Sequence, residues 1–189
     1  MSYRELYEFA QTLSPVVRRN TIRDRVLQIT GVNQIKPMKT TLDIAKCRGF
    51  YLSARNQNHR IVQQHGCCVI VMARGMNRCW DRFVYVKELM HAFDDPLEQT
   101  DSGDCFELVL NEMGANGPDD SAQTDAEWKA FWMTLGVLCP EAVRQQLLQE
   151  RAAGHTDDYA IALKLRIPQT YVRSLFDSRY EGILEELTA

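Results

Sequence analysis

Residues 67–72 read C-C-V-I-V-M and residues 82–91 read R-F-V-Y-V-K-E-L-M-H, and these two stretches decide the fold. The first is a continuous apolar run rich in β-branched side chains, which is typical of a buried strand. Gly75 indicates a turn after it. From Arg78 to Phe93 the apolar residues recur at helical spacing. The sequence therefore predicts a strand, a short turn and a buried helix, in that order.

The end of this helix differs at one position from a zinc-binding motif. Zinc peptidases carry H-E-x-x-H on a helix, where the two histidines leave the same face and hold one ion, and the glutamate acts as general base. Residues 87–91 read K-E-L-M-H, so Lys87 stands at the first histidine position. Because five residues are a weak signal, the alternative is a surface helix with Glu88 and His91 facing solvent.

A second segment, residues 127–140, extends the pattern. Together with the strand and R-F-x-x-x-K-E-L-x-H, it resembles the ImmA/IrrE family of metallopeptidase-like proteins. That family has a strand, R-F-x-x-x-H-E-x-x-H and then E-x-x-A-x-x-F-A-x-x-L-L-x-P. The positions that match the last motif are Glu127, Ala130, Leu138 and Pro140, and those that depart from it are Met133, Thr134 and Val137.

The resemblance implies a zincin-like domain with His91 and Glu127 as zinc ligands and Glu88 as general base. Glu127 has a second interpretation, because Thr124-Asp125-Ala126-Glu127 fits the S/T-x-x-E capping box that closes the start of a helix. Both interpretations stay open at this point.

Lys87 changes the expected chemistry. A zinc ligand must offer a lone pair, and deprotonating a lysine of pKa about 10.4 at pH 7 costs about 4–5 kcal/mol. Without Lys87 the site is one ligand short of the usual three for catalytic zinc. Candidates to complete it are Cys105, Asp94 and His65.

A fixed cation offers a different solution. The Lys87 ammonium can lie where the ion would be and pair with the carboxylates of Glu88 and Glu127. We therefore expect no bound cofactor, with zinc as the alternative.

The predicted fold class is α+β, with a mainly helical zincin-like domain over residues 1–140, a small antiparallel sheet, and a C-terminal helical subdomain over residues 141–189. Strands are predicted at Phe50–Ala54, His59–Gln63 and Cys67–Met72. Helices are predicted at residues 3–13, 15–31, 41–48 and 105–113, and a helix–turn–helix pair at residues 157–177.

The distribution of apolar residues along the chain indicates the compartment in which we expect the protein. No stretch approaches 18 uncharged apolar residues, and the N-terminus has no apolar core of signal-peptide type. We therefore expect a cytoplasmic protein that does not contact membranes. Its 6 cysteines show no C-x-x-C spacing and are expected to be reduced thiols.

Charge is unevenly distributed along the chain. Residues 1–60 contain 11 Lys/Arg and 4 Asp/Glu, whereas residues 61–140 contain 5 Lys/Arg and 13 Asp/Glu. One predicted helix carries a basic cluster that is a candidate contact for an acidic partner or nucleic acid, with a solvated face as the alternative: Arg18, Arg19, Arg23 and Arg25. Residues 141–189 are net acidic, which predicts weak contact with DNA.

These features favour a non-catalytic regulatory or interaction protein on a degenerate zinc-peptidase scaffold, whose partner is another protein. The resemblance implies regulation of a phage or other mobile element, or of a stress response, because family members often act on repressors of such systems. One alternative is an active zinc-dependent endopeptidase that cleaves a repressor-type regulator. Another is a DNA-contacting regulator that uses the C-terminal helices and the basic cluster.

Overall fold

A computed structural model defines residues 2–100, 108–109, 111–112 and 121–189. The described helices are α1 Tyr3–Gln11, α2 Arg19–Thr30, α3 Arg60–His65, α4 Arg78–Met90, α5 Ala122–Leu138, α6 Glu141–Ala152, α7 Asp158–Leu165 and α8 Tyr180–Thr188. The strands are β1 Ile35–Thr40, β2 Gly49–Leu52 and β3 Cys68–Ala73, and short 3₁₀ turns lie at His91–Phe93, Gln169–Tyr171 and Arg173–Phe176. The predicted α+β class is confirmed.

The strand and helix that decide the fold are both present. All six residues of β3 are buried, and α4 buries its apolar face against the helices around it. The side chain of Asn77 caps α4 by accepting hydrogen bonds from the backbone N–H groups of Cys79 and Trp80. The core therefore lies between the buried strand, α4 and the surrounding helices, which include α1, α2 and α5.

The sheet is mixed, so the predicted antiparallel sheet is wrong in this respect. Strand order is β1-β3-β2, with β1 parallel and β2 antiparallel to β3. Strand β1 was not predicted from the sequence, because I-K-P-M-K-T buries only Ile35 and contains Pro37. Proline occurs within sheets mainly on edge strands, where its missing N–H removes no ladder hydrogen bond, and β1 is such an edge strand.

The strand predicted at His59–Gln63 is wrong, because this segment forms α3. The side chain of His59 accepts a hydrogen bond from the backbone N–H of Ile61 at the start of α3. Gly66 ends the helix with φ of 64°, a conformation that glycine adopts without steric cost. The β-branched pair Ile61-Val62 resembled a strand, but the caps at both ends favour a helix.

Three further predicted elements differ from the structure. Residues 41–48 form turns rather than a helix, and α2 begins at Arg19 rather than at Pro15. In the C-terminal pair, α7 is followed by two 3₁₀ turns instead of a second α-helix. Val172 and Leu175 are both fully buried. The turns therefore bury the apolar residues whose spacing predicted a helix. The helix predicted at residues 105–113 lies mostly outside the described residues.

The C-terminal segments pack on the rest of the chain. Helix α8 contacts both α1 and α5. Within the C-terminal segments, the buried guanidinium of Arg144 on α6 donates a hydrogen bond to the carbonyl of Leu175. No helix within the described ranges is long and apolar enough to cross a membrane.

Arg82 ties α4 to segments that are distant in sequence. Its guanidinium donates to the carbonyl of Val17 from Nε at 3.2 Å and to those of Leu165 and Arg166 from Nη1 at 2.9 and 3.1 Å. Arg82 itself is 8% exposed. The loop before α2 and the end of α7 are therefore both held on the helix that carries K-E-L-M-H.

Arg82→Met should destabilise the fold, because it keeps an aliphatic stem but leaves these buried carbonyls without a donor. We expect the free energy of unfolding to fall by about 2–3 kcal/mol, measured by urea denaturation. Arg78→Met is the matched control, since Arg78 is exposed on the same helix, and should change it by less than about 0.5 kcal/mol. Equal effects of the two substitutions would contradict the role given to Arg82.

Candidate functional site

The last turn of α4 and the second turn of α5 bring four of the predicted site residues together. Lys87 and Glu88 lie at the end of α4, His91 follows in the 3₁₀ turn, and Glu127 projects from α5. These helices pack directly on each other. The alternative of a solvent-facing K-E-L-M-H helix is wrong, because Glu88 is 1% and His91 7% exposed.

Lys87 lies between the two glutamates. Its Nζ is 2.9 Å from Glu88 Oε1 and 2.5 Å from Glu127 Oε2. The Lys87 and Glu127 side chains are each 18% exposed and that of Glu88 2%. Burial by itself lowers the pKa of Lys87, but the negative charges of Glu127 and Glu88 outweigh it and raise that pKa well above its usual value. Lys87 is therefore a fixed cation at neutral pH.

His91 is oriented by a third carboxylate. Its Nδ1 lies 2.6 Å from Asp94 Oδ2, and its Nε2 lies 3.4 Å from Glu127 Oε1 and 3.7 Å from Glu88 Oε2. Burial opposes the charged form, but the Glu127 carboxylate and the hydrogen bond to Asp94 prevail and raise the pKa of His91 to about 10. The imidazole is thus protonated at neutral pH, with Nδ1 bonded to Asp94.

The pKa values of the two glutamates shift in opposite directions. Burial opposes the ionisation of Glu127, but the positive charges of Lys87 and His91 outweigh it and hold the pKa of Glu127 well below its usual range. For Glu88, burial prevails over the same two cations and raises the pKa above its usual value. Glu88 is the more deeply buried side chain of the pair.

The capping-box interpretation of Glu127 is wrong. Helix α5 begins earlier than predicted, with Ser121 as N-cap and its Oγ accepting from the backbone N–H of Thr124. Thr124 therefore lies inside the helix, where its hydroxyl donates to Glu112. Glu127 is left to face Lys87 and His91.

The three residues considered as a further ligand have different positions. Asp94 contacts the far side of the His91 ring, and the three-residue spacing between them was a local signal for this contact. His65 ends α3, where its Nδ1 lies 3.2 Å from Lys36 Nζ. Cys105 lies outside the described residues.

The basic cluster is partly neutralised. Arg19 pairs with Asp81 at 2.8 Å and Arg23 with Asp24 at 2.7 Å, while the guanidinium of Arg25 lies 5.4 Å from the ring centre of Phe9. Arg18 is exposed just before α2. The cluster is apart from the Lys87 site and does not line its cleft.

A cleft of about 170 Å³ opens beside Lys87, Glu88, His91 and Glu127. Its other walls come from the segment around Arg48, from β2 and from aromatic side chains, including Trp80, Phe83 and Tyr171. These walls were not predicted from the sequence. Tyr171 in particular comes from the C-terminal 3₁₀ turns and packs on Phe83 with ring centres 4.7 Å apart, a contact between segments that no local pattern indicates.

The close packing of β2 on α4 depends on Gly49. A Cβ atom at this position would lie 2.6 Å from Val84 Cγ1 and 3.0 Å from the carbonyl oxygen of Val71. Because real Cβ atoms do not come so close, a larger residue would push β2 and its cleft-lining neighbours away from the helix.

Zinc does not fit this site as it stands. His91 would first have to lose its Nε2 proton, and the Lys87 ammonium contacts both carboxylates and has no lone pair to offer. Within the described parts of the chain, no three His, Cys, Asp or Glu side chains are grouped so that they hold an ion. The chemistry of the site is therefore that of a buried, hydrogen-bonded charge cluster.

No family model matches the chain, and neither a curated protein nor a solved structure does.

Stability should fall between pH 6.5 and 8.5 because of His91. The raised pKa means that the folded protein keeps a proton that the unfolded chain releases above about pH 6.5. The resulting stabilisation is complete below that pH and is lost as pH rises toward the folded pKa of about 10. We expect the free energy of unfolding to fall by about 1 kcal/mol per pH unit in this window.

Urea denaturation at three pH values measures this slope. His91→Gln should remove most of it, whereas His155→Gln, at an exposed position, should leave it unchanged. A parent protein whose stability is flat across the window would contradict the placement of a protonated His91 in the cluster.

Proposed function

We propose that this chain is a non-catalytic binding protein of regulatory function, in which the Lys87 ammonium occupies the place that a zinc ion has in a peptidase. The observation that carries the proposal is the contact of Lys87 Nζ with both Glu88 and Glu127. An ammonium group balances the carboxylate charges, but it cannot polarise a carbonyl or activate water as a metal does. The cluster supplies stability and a shaped cleft rather than hydrolysis.

The partner in this proposal is another protein. The resemblance of the 67–140 segment to ImmA/IrrE proteins supports a regulator or repressor of a phage, mobile element or stress system as that partner. The cleft beside the cluster, which has aromatic walls and cationic residues, supports binding through this same site.

The alternative of a zinc endopeptidase rests on one observation. His91 is oriented by Asp94 through Nδ1, as metal-ligating histidines are oriented by carboxylates. In this alternative Glu88 would be the general base, and Lys87 would have to move away from both glutamates. About one zinc per purified chain, lost in His91→Ala, would favour the peptidase and reject the binding-only proposal.

Removing the Lys87 amine should destabilise the protein. Lys87→Met removes the cation that contacts both Glu88 and Glu127 and leaves them only the more distant His91 imidazolium, and breaking a buried pair costs about 3–5 kcal/mol. Thermal and urea denaturation measure the loss. Lys129→Met is the matched control, because Lys129 pairs with Glu98 at a more exposed position, and should cost no more than about 1 kcal/mol. If the two variants lose equal stability, the contacts of Lys87 with Glu88 and Glu127 contribute no more than an exposed ion pair.

Lys87→His should create a zinc site. The new imidazole would complete three ligands with His91 and Glu127, leaving one position open. Zinc should then raise the melting temperature of this variant but not that of the parent, because a ligand stabilises only the state that binds it. A second substitution, His91→Ala, should abolish the response. If zinc has no effect on Lys87→His, the correspondence between Lys87 and a metal position is wrong.

A further inference from the structure

A groove of about 500 Å³ lies between helices α5 and α8, which pack on each other. No described residue lines both this groove and the cleft beside Lys87. Most of its lining residues recur at helical spacing, so on each helix they leave one face. These residues are Asp125, Trp128 and Trp132 of α5 and Ile183, Glu186 and Leu187 of α8.

The two tryptophans of the groove have ring faces that no cation of the described chain covers. Trp128 is 42% exposed, and Trp132 is half-buried, with its ring centre 6.2 Å from that of Tyr180. The third tryptophan of the chain, Trp80, differs from them, because the guanidinium of Arg48 lies 4.1 Å from its ring centre. Tryptophan attracts a cation over its face more strongly than any other side chain does.

The rim of the groove is negatively charged. Asp125 and Glu186 are both exposed, and neither forms an ion pair with another described residue. The one described cation that lines the groove, Lys129, is paired with Glu98. Two uncompensated carboxylates therefore lie beside the two indole rings, which favours a positively charged occupant.

An arginine side chain satisfies both features of the groove. Its guanidinium is planar, so it stacks on an indole ring while its N–H groups donate to carboxylates in the same plane. A lysine ammonium is a compact and strongly hydrated charge, which gains less from such a flat surface. The apolar side chains of Ile183 and Leu187 provide a contact for aliphatic residues on either side of the arginine.

We propose that the groove between α5 and α8 is a second contact surface, which binds an arginine flanked by apolar residues in a partner protein. The guanidinium stacks on Trp128 and pairs with the carboxylates of Asp125 and Glu186. The apolar neighbours of the arginine contact Ile183 and Leu187. This inference goes beyond the proposed function, because it requires nothing of the buried charge cluster or its cleft.

Peptide binding to the full chain tests the proposal. The probe is acetyl-Gly-Leu-Arg-Leu-Gly-amide, and in its comparison peptide citrulline replaces the arginine, which keeps the shape and removes the charge. Binding is followed by NMR through the indole N–H signals of the tryptophans. Citrulline should weaken binding about tenfold, because the stacking cation and its charge-assisted hydrogen bonds are lost. Equal affinity of the two peptides would overturn the proposal. No binding of either at millimolar concentration, or a response of Trp80 rather than Trp128, would also overturn it.

A third peptide with lysine in the centre separates recognition of arginine from a general attraction of positive charge. It should bind several-fold more weakly than the arginine peptide, because an ammonium cannot stack and donate in one plane. Equal or tighter binding of the lysine peptide would assign the groove to an ammonium group and overturn the choice of arginine.

Substitutions in the groove have matched controls. Trp128→Ala should weaken the arginine peptide about tenfold, whereas Tyr159→Ala, an exposed aromatic position on α7 outside the groove, should not. Glu186→Gln should weaken it several-fold, whereas Glu185→Gln, at the exposed neighbouring position outside the groove, should not. Equal effects within either pair would overturn the proposal, and melting curves show that each variant is folded. The zinc response of Lys87→His needs no peptide, so failure of this inference and failure of the proposed function are distinguishable.

Discussion

The ammonium of Lys87 between the carboxylates of Glu88 and Glu127 is the interaction on which the site depends. Two carboxylates and a protonated imidazole meet there between packed helices, where unpaired charge is costly. With Asp94 included, the cluster pairs two cations with three carboxyl groups. Helices α4 and α5 can therefore pack closely while carrying ionisable side chains on the surfaces that face each other.

The fold around this cluster explains why its geometry is fixed. Lys87 and Glu88 are on α4, and α4 is held by the sheet on one side and by the hydrogen bonds of Arg82 to the loop before α2 and to the end of α7. Glu127 is placed by α5, which buries most of its second half. The charged groups thus project from rigid elements, and this preorganisation lowers the entropic cost of holding a ligand beside them.

The sequence was informative where burial leaves a pattern and uninformative where contacts join distant segments. The continuous apolar run of β3 and the helical spacing of α4 are direct consequences of burial, so both were predicted. Strand β1 was missed because an edge strand with exposed lysines resembles a loop. The meeting of Lys87 with Glu88 and Glu127 followed from the motif pattern, but the walls of the cleft, such as Tyr171, come from tertiary packing that no local spacing encodes.

The cation in this cluster is attached to the chain by covalent bonds. A metal centre exchanges its ion with the surroundings, so its state follows the supply of metal, the presence of chelators and the competition among divalent ions. Lys87 is made with the polypeptide and is present in every folded molecule. The charge at this position is therefore independent of metal availability, and it cannot be replaced by a foreign ion without a change in the gene.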